Sequence, residues 1–267
     1  MVISSGAMDT LELGLAGKIA IVTGGNDGLG RACVERFARS GARVATCARR
    51  KELLERVADE VRRATGAKVL AMPADVTRPD QVEAFVAAVV ARWGGADILV
   101  NNAGTSAAAG FEQVDDATWH ADIELKLMAA VRLCRLVIPQ MKRRGGGRIV
   151  NVTTVGGKAP AARSLPTSVT RAAGINLTKS LANEYATDRI CVNTICLGVV
   201  KSGQWERRIT GDPETFYREM AEKRRVPLGR FGEASEFADL VAFLCSERAA
   251  YITGTAINFD GGLSAAV

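Results

Sequence analysis

The segment Lys18–Gly30, KIAIVTGGNDGLG, decides how the rest of the chain is read. A short apolar run, Ile19–Val22, feeds a turn with glycines at Gly24, Gly28 and Gly30, and Cys33, Val34, Phe37 and Ala38 then recur at helical spacing. A strand, a glycine turn and a helix N-terminus together make a phosphate cradle. Glycines let backbone N–H groups approach an anion, and the helix dipole favours negative charge there. The spacing is G-x-x-x-G-x-G rather than the commoner G-x-G-x-x-G, and a plain βα turn can carry the same glycines. The later segments decide between the two.

Working outward, Ala42–Cys47, Lys68–Met72, Ala96–Asn101, Arg148–Thr153, Ile190–Ile195 and Ala256–Phe259 read as further short apolar strands. Between them lie helical stretches at about 50–64, 78–93, 115–144, 166–186, 204–224 and 234–246. Regular alternation of buried strands with helices predicts an α/β fold, a doubly wound parallel sheet covered on both faces. No internal linker, repeat or low-complexity segment interrupts it, so residues 15–267 are expected to form one domain behind a flexible tail at 1–14.

The chain has 267 residues, 48% hydrophobic and 24% charged, which suits one large α/β domain. No run of about 18 uncharged apolar residues occurs, so no membrane span or membrane partner is expected. The N-terminal MVISSGAMDTLELG lacks the basic and apolar regions of a secretory signal. The six cysteines show no metal-ligand spacing and fall inside apolar patterns, which suits reduced cytoplasmic thiols and no metal site. A formal charge of +6 would suit nucleic acid, but the basic residues are spread over helix faces without interleaved aromatics. The expected partner is instead an anionic small molecule.

In open α/β sheets ligands bind outside the carboxyl ends of the strands. At the end of the second strand stands Ala48, where an acidic residue would hold an NAD ribose, and Arg49 follows. A guanidinium binds a 2′-phosphate bidentately where a carboxylate repels it, so NADP is expected over NAD; Arg49 can also simply begin a solvated helix. Asp75, after the third strand, can accept from an adenine amino group or serve as a turn residue. Asn101-Asn102-Ala103-Gly104 ends the fourth strand with a small polar surface able to touch a ribose.

Taken in order, these pieces resemble the short-chain dehydrogenase/reductase family. TGGNDGLG is similar to its TGxxxGxG turn, Ala74-Asp75-Val76 to its adenine contact, Asn101–Gly104 to its NNAG, and Leu197-Gly198-Val199-Val200 to its PG loop, with leucine for proline. Tyr251–Gly262 resembles its C-terminal strand and turn, and the likeness covers about residues 15–263. The resemblance implies a Rossmann-type sheet of seven strands in the order 3-2-1-4-5-6-7, a substrate lid at about 199–226, and a homotetramer or homodimer. It implies cofactor contacts at Gly24, Asn26, Asp27, Gly28, Leu29, Gly30, Arg49, Asp75, Val76, Asn102, Ala103, Gly104, Arg171, Gly198 and Val200.

The family's catalytic serine, tyrosine, lysine and asparagine are all replaced. The alignment puts Thr154, Thr167, Arg171 and Lys126 in their places. A tyrosine near pKa about 10 can be tuned toward neutrality, whereas an aliphatic hydroxyl lies far outside that range, and arginine, above about 12, does not relay protons. Thr167 and Arg171, four apart, share a helix face, and an inward Lys126 adds a second cation. The set reads as an oxyanion stabiliser with no evident proton donor. His120 reads as a solvated surface residue, Tyr185 as core, Tyr217 as lid packing and Lys158 as a loop charge or substrate contact. Three readings follow. The first is an NADP-dependent oxidoreductase for which reduction of a conjugated enone, through a stabilised enolate, suits the layout. The second is ordinary carbonyl reduction with an unrecognised donor, and the third is a catalytically silent NADP-binding protein, a sensor or assembly subunit.

Overall fold

The computed structural model describes residues 12–267. The first eleven positions of the expected N-terminal tail lie outside the described residues. The sheet has seven parallel strands in the order β3-β2-β1-β4-β5-β6-β7. They are β1 (Ile19–Thr23), β2 (Arg43–Ala48), β3 (Val69–Pro73), β4 (Ile98–Asn101), β5 (Gly147–Thr154), β6 (Ile190–Leu197) and β7 (Ala256–Phe259). β1 is buried along its whole length, which explains why its sequence is continuously apolar instead of alternating.

Helices cover both faces. On one side α1 (Gly28–Arg39), α2 (Lys51–Thr65) and α9 (Ala234–Leu244) bury Phe37, Val57 and Phe237 against the sheet. On the other, α3 (Pro79–Trp93) and α5 (Ala129–Arg143) contribute Phe85, Leu133 and Met141, and α6 (Thr167–Tyr185) contributes Ala182. The chain leaves β1 for one side and β4 for the other, so the carboxyl ends of these neighbouring strands open a crevice between them.

Two elements depart from the sequence expectation. The helix expected over 204–224 is two short helices, α7 (Gly203–Glu206) and α8 (Pro213–Lys223). Gly211 adopts a left-handed φ of 86°, and Asp212 then caps α8 by accepting from the Thr215 N–H at 2.8 Å, so local turn chemistry overrides the apolar periodicity. The long helix expected over 115–144 is continuous but not uniformly α-helical. α4 (Asp116–Ile123) passes through a π-helical turn, Glu124–Met128, into α5.

Candidate active site

The cradle is built by close approach. A Cβ on Gly30 would stand 2.1 Å from the Gly24 carbonyl oxygen, and one on Gly25 the same distance from Thr46 Oγ1. Gly25, absent from the sequence expectation, is therefore as constrained as Gly30; only its packing against β2 reveals this. Gly24 also takes a φ of 72°, in the left-handed region that glycine adopts without strain. Thr23 and Asn102 lock the crevice: Asn102 Nδ2 donates to the Thr23 carbonyl at 2.9 Å, and the Asn102 and Ala103 N–H groups each donate to Thr23 Oγ1 at 3.0 Å. Asn102 thus holds the two strand ends together.

Asp27 places a carboxylate inside an anion cradle, and two arginines offset it. Arg50 donates to Asp27 Oδ2 at 3.1 Å, and Arg207, just past α7, lies 3.5 Å from the same oxygen. Arg49 is exposed and forms no ion pair among the described residues. Asp75 Oδ1 accepts from the Thr77 N–H and hydroxyl at 2.9 and 2.8 Å, so the turn role is realised, with Oδ2 outside that turn. A Cβ on Gly198 would meet Asp260 at 2.6 Å, and Val200 is buried and pairs with Gly232. Val76 is buried and lines the small cavity beside Thr23 and Arg171; Asn26 is buried too, whereas Gly28 and Leu29, at the start of α1, are partly exposed.

Lys126, Thr167 and Arg171, expected at catalytic positions, lie close together. Lys126 sits in the π-helical turn, a local insertion of the kind that often marks functional sites, and its side chain is fully covered. Its Nζ donates to Thr167 Oγ1 at 2.8 Å and, in a short contact, to Asp122 Oδ1. Asp122 Oδ2 in turn accepts from the Thr170 hydroxyl at 2.6 Å. Thr167 Oγ1 receives a second hydrogen bond from the Ala107 N–H at 3.1 Å. Both lone pairs of that hydroxyl are occupied, so its own hydrogen can only be donated.

Arg171 lies beside this group, with Nη1 donating to the Val152 carbonyl at 2.7 Å. Its Nη2 fills the space where a Cβ on Gly104 would be, 2.7 Å away. Its Nε is buried without a protein partner, a donor left for a bound group. Burial draws the Arg171 guanidinium down to about 10, with Asp122 opposing, so it stays charged at neutral pH. Burial also pulls the Lys126 ammonium below the usual lysine value; Arg171 adds to that, and the Asp122 carboxylate works against it. A cavity of about 10 Å³, lined by Thr23, Asn101, Lys126 and Arg171, lies behind the ammonium, room for about one water. Thr154 ends β5 on the same edge of the sheet and forms no hydrogen bond to this set among the described residues.

Asp122 and Thr170 were missed by sequence reasoning. The available signal was the i, i+4 spacing of Asp122 and Lys126; the Thr170 link depends on how α4 and α6 meet. His120 is exposed, and Tyr217 is buried, with its ring 5.1 Å from Phe231. Lys158 donates to the Ala256 carbonyl at 2.5 Å, which ties its loop to β7. A larger cavity of about 690 Å³ opens at the amino ends of the strands, among Asp97, Arg144, Arg148 and Glu247, at the opposite end of the sheet from all these groups.

Known proteins share this architecture throughout. The sequence model of the family described as enoyl-(acyl carrier protein) reductase matches residues 24–264. A Streptomyces coelicolor putative ketoacyl reductase is 36% identical over 259 residues, 92% of this chain and 97% of that protein. The 3-oxoacyl-[acyl-carrier-protein] reductase of Vibrio cholerae is 34% identical over 94% of this chain and 99% of its own. Among solved structures, L-sorbose reductase from Gluconobacter frateurii, in complex with NADPH and L-sorbose, superposes with a TM-score of 0.91 at 36% identity, over 96% of this chain and all of that one. An NADPH-bound short-chain oxidoreductase from Pseudomonas aeruginosa, described as containing an atypical catalytic centre, gives 0.90 at 37% identity, over 94% of this chain and 98% of that one. With the seven-stranded order, the glycine cradle and these relatives, the chain belongs to the short-chain dehydrogenase/reductase family.

Proposed function

We propose that the protein is an NADPH-dependent reductase of a small or acyl-linked ketone, in which the Thr167 hydroxyl protonates the carbonyl oxygen and Lys126 restores the proton. One observation carries the reading: Thr167 Oγ1 accepts from both Lys126 Nζ and the Ala107 N–H, which leaves an O–H polarised by an ammonium and free to donate. Threonine alone is a poor acid. Threonine backed by a buried ammonium whose hold on its proton is weakened by burial and by Arg171 is a relay.

The cradle suits a dinucleotide: Gly24 and Gly30 leave no room for a side chain where the backbone would meet a phosphate, and the buried Arg171 Nε has no protein partner. NADPH, when bound, supplies the hydride. As the carbonyl oxygen gains negative charge, it takes the Thr167 hydrogen, the Thr167 oxygen takes one from Lys126 Nζ, and Lys126 is left as a neutral amine that regains a proton through the water-sized cavity it lines. Arg171 stays cationic beside the developing oxyanion and stabilises it electrostatically. Thr154 offers a second hydroxyl at the end of β5. The NADPH found in the sorbose reductase and in the Pseudomonas oxidoreductase, and the ketoacyl reductases among the relatives, support the cofactor and the substrate class.

Arg49, exposed and free of ion pairs among the described residues, is the residue assigned to the 2′-phosphate in this reading. Arg49→Asp is expected to move the NADPH/NADH affinity ratio toward NADH by about 10- to 100-fold, the worth of a charge-assisted bidentate contact and its reversal. Titration of each nucleotide by fluorescence checks this, and an unchanged ratio contradicts it. Two further features extend the reading. The outer face of α6 exposes the small Ala172, and β7 forms a sheet edge, which supports assembly into a homodimer or homotetramer. Six buried free cysteines support a reducing, cytoplasmic setting.

The reading is tested by following NADPH consumption by the purified protein across ketones, aldehydes and conjugated enones. Turnover of ketones is the expected result. Turnover of enones alone would return the enolate reading, and NADPH binding without turnover of any of them would favour a silent binder.

A further inference from the structure

Lys126 could not remain charged and aimed at Thr167 on its own. Its side chain is wholly out of solvent, and an isolated buried ammonium loses its proton sooner than pay the cost of desolvation. The ionisable groups that face it are few. From its own helix comes Asp122, and from α6 comes Arg171, a second cation. β1 and β4 bring Thr23 and Asn101, which do not titrate. Among the described residues Asp122 is therefore the one carboxylate turned toward these two cations, and it is itself only 4% exposed.

Its two oxygens are spent in different directions. Oδ1 takes the Lys126 ammonium, one turn along and within the π-helical turn. Oδ2 takes the hydroxyl of Thr170, which belongs to the same helix as Thr167 and Arg171. The Thr170 oxygen also reaches the Thr167 carbonyl, at 3.0 Å. The carboxylate thus links the helix that carries the ammonium to the turn of helix that carries the hydroxyl, and fixes the 2.8 Å Lys126–Thr167 contact from behind. A buried pair held only for stability could be replaced by apolar residues with little loss; a pair whose third member is a hydroxyl with a free hydrogen has a further use.

We propose that Asp122 is the positioning residue of this site, aiming the Lys126 ammonium at Thr167 and keeping it protonated over the working pH range. The inference rests on the proton relay proposed above. Asp122 does not touch the substrate. It acts by making the protonated form of Lys126 the stable one.

The test is the pH dependence of kcat for ketone reduction in wild type, Asp122→Asn, Asp122→Glu and Lys126→Met, with NADPH affinity of each variant as the measure of an intact fold. The relay needs Lys126 protonated, so activity falls as pH rises through the Lys126 pKa. Removal of the carboxylate leaves burial and Arg171 unopposed, and the alkaline limb of Asp122→Asn is expected to move to lower pH by about one unit or more. Asp122→Glu keeps the charge, so its limb should stay with wild type while kcat falls through poorer aim. A lower kcat in Asp122→Asn with an unmoved limb would show a packing role only and overturn the inference while leaving the relay intact. Full activity in Lys126→Met would overturn the relay, and the inference with it.

Discussion

Lys126→Met is expected to lower kcat for ketone reduction by about 100- to 10,000-fold, the usual contribution of a positioned proton donor, while NADPH affinity changes little. The substitution removes the sole ammonium that donates to Thr167 Oγ1 and leaves the hydroxyl with the Ala107 N–H as its remaining donor. Asp122 loses its ammonium partner as well and keeps the Thr170 hydroxyl as a donor, so some loss of stability accompanies the loss of rate. Lys126→Arg separates two ways in which the cation could act. Arginine keeps the charge and the hydrogen bonds but does not give up its proton at working pH. If Lys126 works by proton transfer, Lys126→Arg stays slow. If it only stabilises charge, Lys126→Arg recovers most of the rate, and the relay is wrong.

Gly30→Ala is expected to abolish productive NADPH binding, with affinity down by at least about 100-fold, because the added methyl group has nowhere to go. The Cβ would stand 2.1 Å from the Gly24 carbonyl oxygen and 2.6 Å from Asn102 Nδ2. Neither neighbour yields cheaply. Gly24 N–H donates to the Cys47 carbonyl at 2.8 Å, and Asn102 Nδ2 is tied to the Thr23 carbonyl. The cradle must therefore shift as a unit, away from the positions where its N–H groups can meet a phosphate. Nucleotide titration measures the loss, and the thermal midpoint with and without NADPH reports whether the stabilisation by ligand has gone with it. An unchanged NADPH affinity would contradict the role given to this turn.

Much of the fold was legible because it depends on local pattern. The all-apolar Ile19–Val22 reads as a buried strand and is one, and the left-handed Gly24 sits where the spacing puts a turn. Residues 204–224 show the limit of periodicity: they read like one helix, but Gly211, Asp212 and Pro213 carry turn and cap chemistry that divides it. Arg49 was legible as a candidate for the 2′-phosphate, whereas its distinction from Arg50 was not, since that depends on which guanidinium reaches Asp27 across the loop.

The chemistry was only half legible. Thr167 and Arg171 could be paired from their spacing along one helix, but their relation to Lys126 required the packing of α6 beside the π-helical turn. For the same reason the sequence reading found an oxyanion stabiliser without a proton donor. A buried lysine is not distinguishable from a solvated one by its letter, and burial is what pulls the Lys126 ammonium below the usual lysine value. Asp122 was passed over as one more charge in TWHADIELK, because its second partner, Thr170, lies 48 residues away.

The most direct test of the relay is a double-mutant cycle on the rate of NADPH oxidation with ketone substrate, using Lys126→Met, Thr167→Val and the double variant. Groups that pass one proton act as a unit, so either single change should cost nearly as much as both together. Losses that multiply in the double variant, or a Thr167→Val enzyme as fast as wild type, would contradict a proton path through Thr167 and Lys126.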